Sequence, residues 1–321
     1  MVTGTVTNFT DPLPFQRALP AGDFELLPTT RGAFRGKLVQ AKLNKIWMTR
    51  GQENLPRVLI RSTTADRATI AFHTDCNQPR MHHCGADVAH DALIVNNSSV
   101  MHRRTYGASR WGSMSLAPEE LASASRVICG HELDVSQVAP LVHPGSALMG
   151  RLLDLHRQLG GLVEESDEKL ANVEVVRAID DELAYLMVRC LDEGLPVTTT
   201  QAERNHSRII RRFEEFLREN LLQPLYVAEI CAATGACERS LRACCLEHFG
   251  MGPVHYLWLR RMHLVRRTLL LATPETATVT RTAMDHGFWE LGRFSTQYRS
   301  LFGEPASATL QRSPPPGLIF H

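Results

Sequence analysis

Apolar and polar residues follow two different periods along the chain, and the change of period divides it. In residues 24–117 the apolar residues form short, partly alternating runs, such as 57–61 and 68–72, separated by Gly, Pro, Asn and Asp. Such runs are typical of β-strands. After Pro118 the apolar residues recur at steps of three and four, the period of an amphipathic helix. The sequence therefore predicts an α+β protein whose strands precede its helices.

Interruptions of the pattern divide the chain further. Residues near the N-terminus lack a clear period, and a stretch rich in Gly, Pro and Thr separates two helical regions. The many short strands predict a small sandwich or barrel. The predicted segments are a flexible arm (1–22), a β-rich domain (23–130), a helical segment (131–195), a linker (196–206) and an almost wholly helical domain (207–312).

The last of these segments contains one structural unit twice. In the first copy a short helix predicted over Val227–Thr234 is ended by Gly235, and a second helix follows over 238–248. Glycine accepts the positive φ that a tight turn between helices often needs. Helix, glycine turn and helix together are the signature of a helix-turn-helix unit.

The second copy repeats the arrangement. A helix predicted over Val279–Asp285 leads into Gly287, and a second helix follows over 289–301. The two turn glycines are 52 residues apart, and the pairs Phe249-Gly250 and Phe302-Gly303 are 53 apart. An internal repeat is stronger evidence than either copy alone. We place the two units at about 226–249 and 278–302.

A long helix predicted over Pro253–Leu271 separates the units and would fix the distance between them. Two rigidly linked second helices can enter successive major grooves on one side of B-DNA, about 34 Å apart. The apolar face predicted for the long helix consists of Tyr256, Leu257, Leu264, Thr268 and Leu271.

The outward residues of the two second helices are the predicted DNA contacts. Arginine contacts phosphates and can read guanine through two hydrogen bonds. The alternative is that these side chains are merely solvated. Trp289 suits packing or a position beside a phosphate better than base reading, and Glu290 equally suits a helix cap. The predicted DNA-binding set is Glu238, Arg239, Ser240, Arg242, Trp289, Glu290, Arg293, Thr296, Gln297 and Arg299.

Charge is distributed unevenly in a way that favours an anionic partner for the C-terminal part. Residues 205–321 contain 14 Arg, no Lys and 10 acidic residues, a net charge of +4, whereas the first 204 residues carry −3. No window holds eighteen consecutive apolar residues, and no signal peptide is recognisable, so we expect a cytoplasmic protein without membrane contact. The eight cysteines are then expected to be thiols.

A set of residues distributed over both units carries a family pattern: Ala228-Glu229-Ile230, Gly235, Leu241, Phe249-Gly250-Met251-Gly252-Pro253, Tyr256-Leu257, Arg261, Ala283, Gly287-Phe288, Gly292-Arg293-Phe294, Tyr298-Arg299, Phe302-Gly303 and Thr309-Leu310. Through them the region 207–310 resembles the C-terminal DNA-binding domain of AraC/XylS-type transcription regulators. The resemblance implies a sequence-specific regulator, and an activator is favoured.

The same resemblance, by architecture alone, implies roles for the upstream part. The β-rich domain would be a cupin-like sensing domain for a small-molecule effector, and the helical segment would support a homodimer. The implied partners are double-stranded promoter DNA and RNA polymerase. No cofactor, metal or catalytic residue is implied.

Most departures from the family pattern lie in the first unit; in the second, Pro305-Ala306 places the proline one residue earlier than in the Gly-x-x-Pro of the first. Cys237 occupies a helix N-cap position where the family usually has Ser, and a thiol caps poorly. Cys245 replaces a common core Phe, and Ala243 stands where Arg is frequent. We therefore expect the first unit to contribute less to DNA readout than the second.

Two other functions remain open from the sequence. An enzyme would need a site in the β-rich domain, where the only candidate is a weak His/Cys patch: His73, Cys76, His82, His83, Cys84 and His90. A protein-interaction module would use the helices for a partner other than DNA. The adjacent Cys244 and Cys245 suit inert packing better than redox sensing.

Overall fold

A computed structural model of the chain describes residues 3–20, 23–62, 66–96, 100–166, 168–198, 200–220 and 225–312. Its strands form two antiparallel sheets. In chain order the strands are β1 (Thr3–Phe9), β2 (Asp23–Pro28), β3 (Gly36–Lys42), β4 (Trp47–Glu53), β5 (Arg57–Ser62), β6 (Ala68–His73), β7 (Met81–His83), β8 (Ala86–Asp87), β9 (Leu93–Val95), β10 (Val100–Thr105), β11 (Ser109–Leu116), β12 (Leu141–His143) and β13 (Leu195–Pro196).

The larger sheet has eight strands in the order β1-β3-β4-β11-β6-β9-β12-β13, and the smaller has five in the order β2-β5-β10-β7-β8. The helices are α1 (Pro12–Arg17), α2 (Pro118–Cys129), α3 (Ser146–Glu164), α4 (Val173–Asp192), α5 (Gln201–Asn220), α6 (Val227–Thr234), α7 (Glu238–Phe249), α8 (Pro253–Leu271), α9 (Val279–Asp285), α10 (Leu291–Phe302) and α11 (Ala306–Leu310). The α+β class and the order of strands before helices are as the sequence predicts.

Helices α2, α3 and α4 cover the outer face of the eight-stranded sheet. Their apolar stripes, including Leu152 and Leu183, form one core with Met48, Ile70 and Phe72 of the sheet. Along each strand, every second side chain points to this core, because successive side chains lie on opposite faces of a sheet. The helical segment is therefore packed against the β-rich domain as part of the same body.

The five-stranded sheet lies between the larger sheet and the C-terminal helices. In β5 the side chains of Val58 and Ile60 join a core with α5, α7 and α8, whereas Leu59 joins a core on the other face with Trp111. Period-two alternation thus directs one strand to two different cores. This sheet is a single layer shared by the two parts of the chain.

The flexible arm predicted for residues 1–22 does not hold for the described residues 3–20. Strand β1 pairs with β3 from Thr3 opposite Lys42 to Phe9 opposite Gly36. Asp11 caps α1, and Phe15 is fully buried. The side chains of β1 are almost all exposed, so its backbone ladder holds it at a sheet edge without leaving an apolar period in the sequence.

The predicted linker, residues 196–206, is shorter than expected because α5 begins at Gln201. Thr200 accepts a hydrogen bond from the Glu203 backbone N–H at 3.2 Å, and the Glu203 carboxylate accepts one from the Thr200 backbone N–H at 2.6 Å. This reciprocal pair is a capping box, which starts a helix. The threonine run that suggested a loop therefore includes a helix N-terminus.

No helix within the described ranges combines the length and apolar character needed to cross a membrane.

Candidate nucleic-acid interface

The first helix-turn-helix unit has the predicted bounds and turn. Helix α6 ends at Gly235, whose φ of 68° is left-handed, and α7 ends at Gly250 with φ 74°. Leu241, Cys244 and Cys245 are fully buried, as their spacing predicts. Left-handed backbone at both ends explains why glycine occupies these positions.

The second unit repeats this geometry with a shifted helix start. Gly287 has φ 82° and Gly303 has φ 79°. Helix α10 begins at Leu291, two residues later than the sequence prediction, because the turn continues through Trp289 and Glu290. Glu290 occupies the N-cap position, but its side chain makes no capping hydrogen bond.

The predicted contact residues lie on the outside of both units, but two of them are less exposed than the others. Ser240 and Gln297 are half-buried, and Gln297 accepts a hydrogen bond from Trp258 Nε1 at 3.0 Å. Trp289 is 65% exposed, so it is available for contacts rather than part of the core. The other predicted residues are exposed: Glu238, Arg239, Arg242, Glu290, Arg293, Thr296 and Arg299.

The two recognition helices, α7 and α10, face one open cleft of about 560 Å³. Glu238 and Arg242 line it from α7, and Arg293 and Gln297 line it from α10. The first turns of α8 form its floor, including Trp258. The structure thus brings together four of the ten predicted residues, and it puts one arginine from each unit on the same side of the domain.

Helix α8 sets this arrangement, although its buried surface is wider than predicted. Tyr256 and Leu257 are buried as expected, but Leu264, Thr268 and Leu271 are only half-buried. Helix α8, called the strut below, packs on several sides at once, because it contributes to the core of each helix-turn-helix unit and also touches β2. Its main buried apolar residues are Tyr256, Leu257, Leu259, Met262, Val265, Leu269 and Leu270.

An aromatic stack fixes the first unit to the strut. The rings of Phe249 and Tyr256 are parallel, with centroids 4.0 Å apart and an angle of 6°. Tyr256 donates a hydrogen bond to Glu214 of α5 at 2.6 Å. Burial and the neighbouring carboxylate raise the pKa of Tyr256 well above its usual value, so the phenol remains a donor.

Polar contacts join the strut to the β-rich domain. Arg260, 4% exposed, donates to both oxygens of Glu25 in β2 and to Glu214 at 2.9 Å. His263 Nε2 donates to the carbonyl oxygen of Pro28 at 3.1 Å. Arg266 donates to Asp11 at 2.6 Å and thereby holds the segment before α1. The position of the strut therefore depends on both parts of the chain.

A histidine pair forms a second junction, at the end of α7. His102 of β10 and His248 lie with Nε2 and Nδ1 2.5 Å apart, and both rings are buried. Burial, together with nearby His206 and His82, lowers the pKa of His248 to about 4. Burial and His248 lower the pKa of His102 well below its ordinary value. The junction is thus made of neutral imidazoles at pH 7.

The thiols of α7 differ in reactivity. Burial raises the pKa of Cys244 to about 11 and shifts that of Cys245 in the same direction. Exposed Cys237 stands at the N-cap, where its side chain makes no capping hydrogen bond to the backbone. Its sulfur lies 3.2 Å from the Ser240 hydroxyl, and this contact lowers the pKa of Cys237. The buried pair has the environment of inert packing residues.

Within the described part of the chain, no three His, Cys, Asp or Glu side chains converge, and this includes the His/Cys patch. His73 and His90 rings are 5.1 Å apart, but His83 is separately buried and Cys76 is exposed.

Comparison with known proteins assigns residues 230–312 to a family model described as a helix-turn-helix domain. The chain is 30% identical over 179 residues to the probable thc operon regulatory protein of Rhodococcus erythropolis, covering 52% of this chain and 54% of that protein. It is 34% identical over 99 residues to the XylDLEGF operon transcriptional activator 2 of Pseudomonas putida, covering 31% of this chain and 63% of that protein. The chain thus matches between about half and two thirds of the length of these relatives.

Among solved structures, the AraC-like transcriptional activator CuxR superposes on 83% of this chain and 95% of its own, with 16% identity and a TM-score of 0.41. The internal repeat, the two left-handed glycine turns, the exposed recognition helices and the family match in the C-terminal third agree with one another. Residues 230–312 therefore form a helix-turn-helix domain of the AraC/XylS type.

Proposed function

We propose that this protein is an effector-responsive transcription activator that binds promoter DNA with both recognition helices. The observation that carries the proposal is the shared cleft: Arg242 of α7 and Arg293 of α10 are exposed side chains that line one open surface. A helix-turn-helix unit reads DNA by placing its second helix in the major groove. Two such helices on one side of a rigid strut suit two successive major grooves.

The predicted contacts divide by chemistry. Arg242 and Arg293 can reach guanine edges or phosphates, and Thr296 and Gln297 can bind base edges. Arg239, Arg299 and Trp289 are exposed outside the cleft lining and suit the phosphate backbone. Glu238 and Glu290 are the exceptions, because carboxylates near phosphates are favourable only where they accept from a cytosine amino group.

The DNA hypothesis is tested with duplexes selected from a random-sequence library by the full chain. Fluorescence anisotropy then measures the affinity of the wild type and of a variant with both Arg242→Ala and Arg293→Ala. Each lost base contact costs about 1–3 kcal/mol, so we expect at least about a tenfold loss. The slope of log affinity against log salt should also become shallower, because phosphate contacts release counterions.

A matched control removes two arginines elsewhere. Arg157 of α3 and Arg177 of α4 are more than two thirds exposed and make only local ion pairs. The Arg157→Ala, Arg177→Ala variant has the same change of charge and should keep its affinity for the selected duplexes. Equal losses in the two double variants would mean that net charge, rather than the cleft, controls binding.

Groove spacing is tested separately by methylation interference on the selected duplex. Two segments in which methylation prevents binding, centred about 10–10.5 base pairs apart, are expected for successive major grooves. A single such segment would assign binding to one unit. Because the first unit is expected to contribute less to DNA readout, Arg242→Ala should lower the affinity for the duplex less than Arg293→Ala.

We further propose that the β-rich domain senses a small molecule and that the helical segment supports a homodimer, with RNA polymerase as the partner during activation. The five-stranded sheet supports the sensing role, because one face touches α7 and α8 and the other faces the space between the sheets. Sedimentation velocity of the full chain, with and without the selected duplex, tests dimer formation.

A further inference from the structure

A cavity lies between the two sheets, on the side of the five-stranded sheet that faces away from the DNA-binding domain. It has a volume of about 50 Å³, and its lining comes from β2, β5 and β10 on one side and β4, β6 and β11 on the other. A buried water needs about 10–15 Å³ on this measure, so the cavity has room for roughly three to five water-sized groups.

Three arginines line this cavity and are almost completely buried. Arg57 and Arg61 are 2% exposed, and Arg103 is 5% exposed. Arg57 is neutralised, because it donates through Nε and Nη2 to Glu53 at 2.8 and 2.5 Å. No acidic residue is among the described residues that line the cavity. Arg103 therefore brings a positive charge into the interior beyond that of the Arg57–Glu53 pair.

Several donors inside the cavity have no acceptor. Arg103 Nε and Nη2 and Trp111 Nε1 are buried without a hydrogen-bond partner. Asn96 Oδ1 is also unpartnered, and a rotated amide would present its NH₂ group instead. Burying a charged donor without an acceptor is expensive, and such groups are normally satisfied by protein, water or a ligand.

The charge of Arg103 responds to this environment. Burial and the neighbouring cations Arg57 and Arg61 lower its pKa to about 9. At pH 7 the guanidinium still carries its proton, so it remains a cation. An anion beside it would relieve both the desolvation and the repulsion.

The remaining wall is apolar. Phe24, Leu59 and Met101 line the cavity beside the guanidinium groups. A ligand that fits must therefore present an oxyanion to Arg103 and Trp111 and an apolar body to this wall. A carboxylate with a short hydrocarbon tail meets both requirements, whereas an inorganic oxyanion meets only the first.

We propose that this cavity is the effector site and that it binds a small monocarboxylate, held by Arg103 and Trp111 Nε1. The proposal rests on the sensing role assigned above to the β-rich domain. Guanidinium and carboxylate form charge-assisted hydrogen bonds, which are the strong ones in a buried site. Propionate is of the size that the cavity admits without rearrangement.

Calorimetric titration of the full chain with sodium propionate tests the site, with propionamide and inorganic phosphate as the comparison ligands. We expect saturable binding of propionate, no detectable binding of propionamide, and weaker binding of phosphate. Propionamide binding as tightly as propionate, or phosphate binding in place of propionate, would overturn the proposal. The measurement contains no DNA, so its failure leaves the test of Arg242 and Arg293 unaffected.

Variants of β10 locate the anion. Arg103→Met should abolish propionate binding and leave the ligand-free protein at least as heat-stable as the wild type, because an unpaired buried charge is removed. Arg104→Met is the matched control: its side chain leaves the same strand toward Tyr106 and Gly250, so propionate binding should be unchanged. Propionate binding that survives Arg103→Met would contradict the assignment.

A milder variant covers the case in which Arg103→Met fails to fold. Trp111→Phe keeps an aromatic side chain, although a smaller one, and removes the Nε1 donor. Loss of one hydrogen bond to a charged group should weaken propionate binding by about tenfold. If Trp111→Phe bound propionate with wild-type affinity, Trp111 Nε1 would not be a contact of the ligand.

Discussion

Replacing Arg260 by methionine tests whether the strut is held by its buried ion network. Arg260 bridges Glu25 of β2 and Glu214 of α5, and Tyr256 donates to the same Glu214. The substitution keeps much of the side-chain length but leaves the 2%-exposed Glu214 carboxylate without its cation. Removing one partner of a buried pair costs about 3–5 kcal/mol of folding free energy, and we expect a loss in that range.

The two carboxylates should contribute unequally. Glu25 is about one third exposed, so water screens its attraction to Arg260. Glu25→Gln should therefore cost no more than about 1 kcal/mol, the range of a surface pair. The Arg260→Met, Glu214→Gln double variant should recover part of the loss, because the uncompensated buried charge is gone.

Urea unfolding followed by tryptophan fluorescence measures these differences, since Trp258 lies on the same helix. Arg267→Met is the matched control: it is an exposed arginine of the same strut, and its substitution should change stability by no more than about 0.5 kcal/mol. A loss for Arg260→Met as small as that of the control would refute the view that the network holds the strut.

Three further predictions concern α7. Cys237→Ser should stabilise the protein by about 0.5–1 kcal/mol in thermal unfolding, because a hydroxyl at the N-cap can accept the free backbone N–H that the thiol leaves unbonded; an unchanged melting temperature would contradict this. Folding depresses the pKa of His248 from 6.5 to about 4, so the unfolded chain binds the proton first, and stability is lost as pH falls from about 6.5 to about 4. This group alone lowers the free energy of unfolding by about 3 kcal/mol over that range. In His248→Phe the number of protons taken up on unfolding should fall by about one; an unchanged pH dependence of stability would contradict the prediction. Iodoacetamide should alkylate Cys237 before Cys245, as followed by mass spectrometry, and early modification of Cys245 would refute its burial.

The repeated units could be derived from the sequence because their signals are local. Val227–Thr234, Val279–Asp285 and Pro253–Leu271 are helices with the predicted bounds. Each turn glycine has a left-handed φ, and glycine at these positions already indicates such a backbone conformation. Apolar spacing and glycine are properties of a few neighbouring residues, so they need no knowledge of the tertiary fold.

Features that depend on several packed layers were missed. The run 57–61 predicts a strand, but the sequence would place Arg57 and Arg61 in solvent, because charged residues are seldom fully buried. They are buried because the five-stranded sheet is covered on both faces. The alternation shows which side chains share a face, but it does not show what covers that face.

The same limit applies to the strut. One apolar stripe was predicted for α8, whereas its buried residues occupy several sides, including charged Arg260. A helix surrounded by neighbours loses the amphipathic contrast from which a face is predicted. Strand β1 is the opposite case, because it is held by backbone pairing with side chains that remain exposed.

The alternation of the five-stranded sheet gives a physical route from the proposed effector site to the DNA-binding domain. In β10, Arg103 faces the cavity, while His102 contacts His248 at the end of α7. In β2, Leu26 faces the cavity, while Glu25 binds Arg260 of the strut. His102 and Arg103 belong to one backbone ladder with β5, in which they pair with Ile60 and Leu59. We therefore expect a ligand that draws Arg103 inward to shift His102 as well, and with it the support of α7, without a separate hinge.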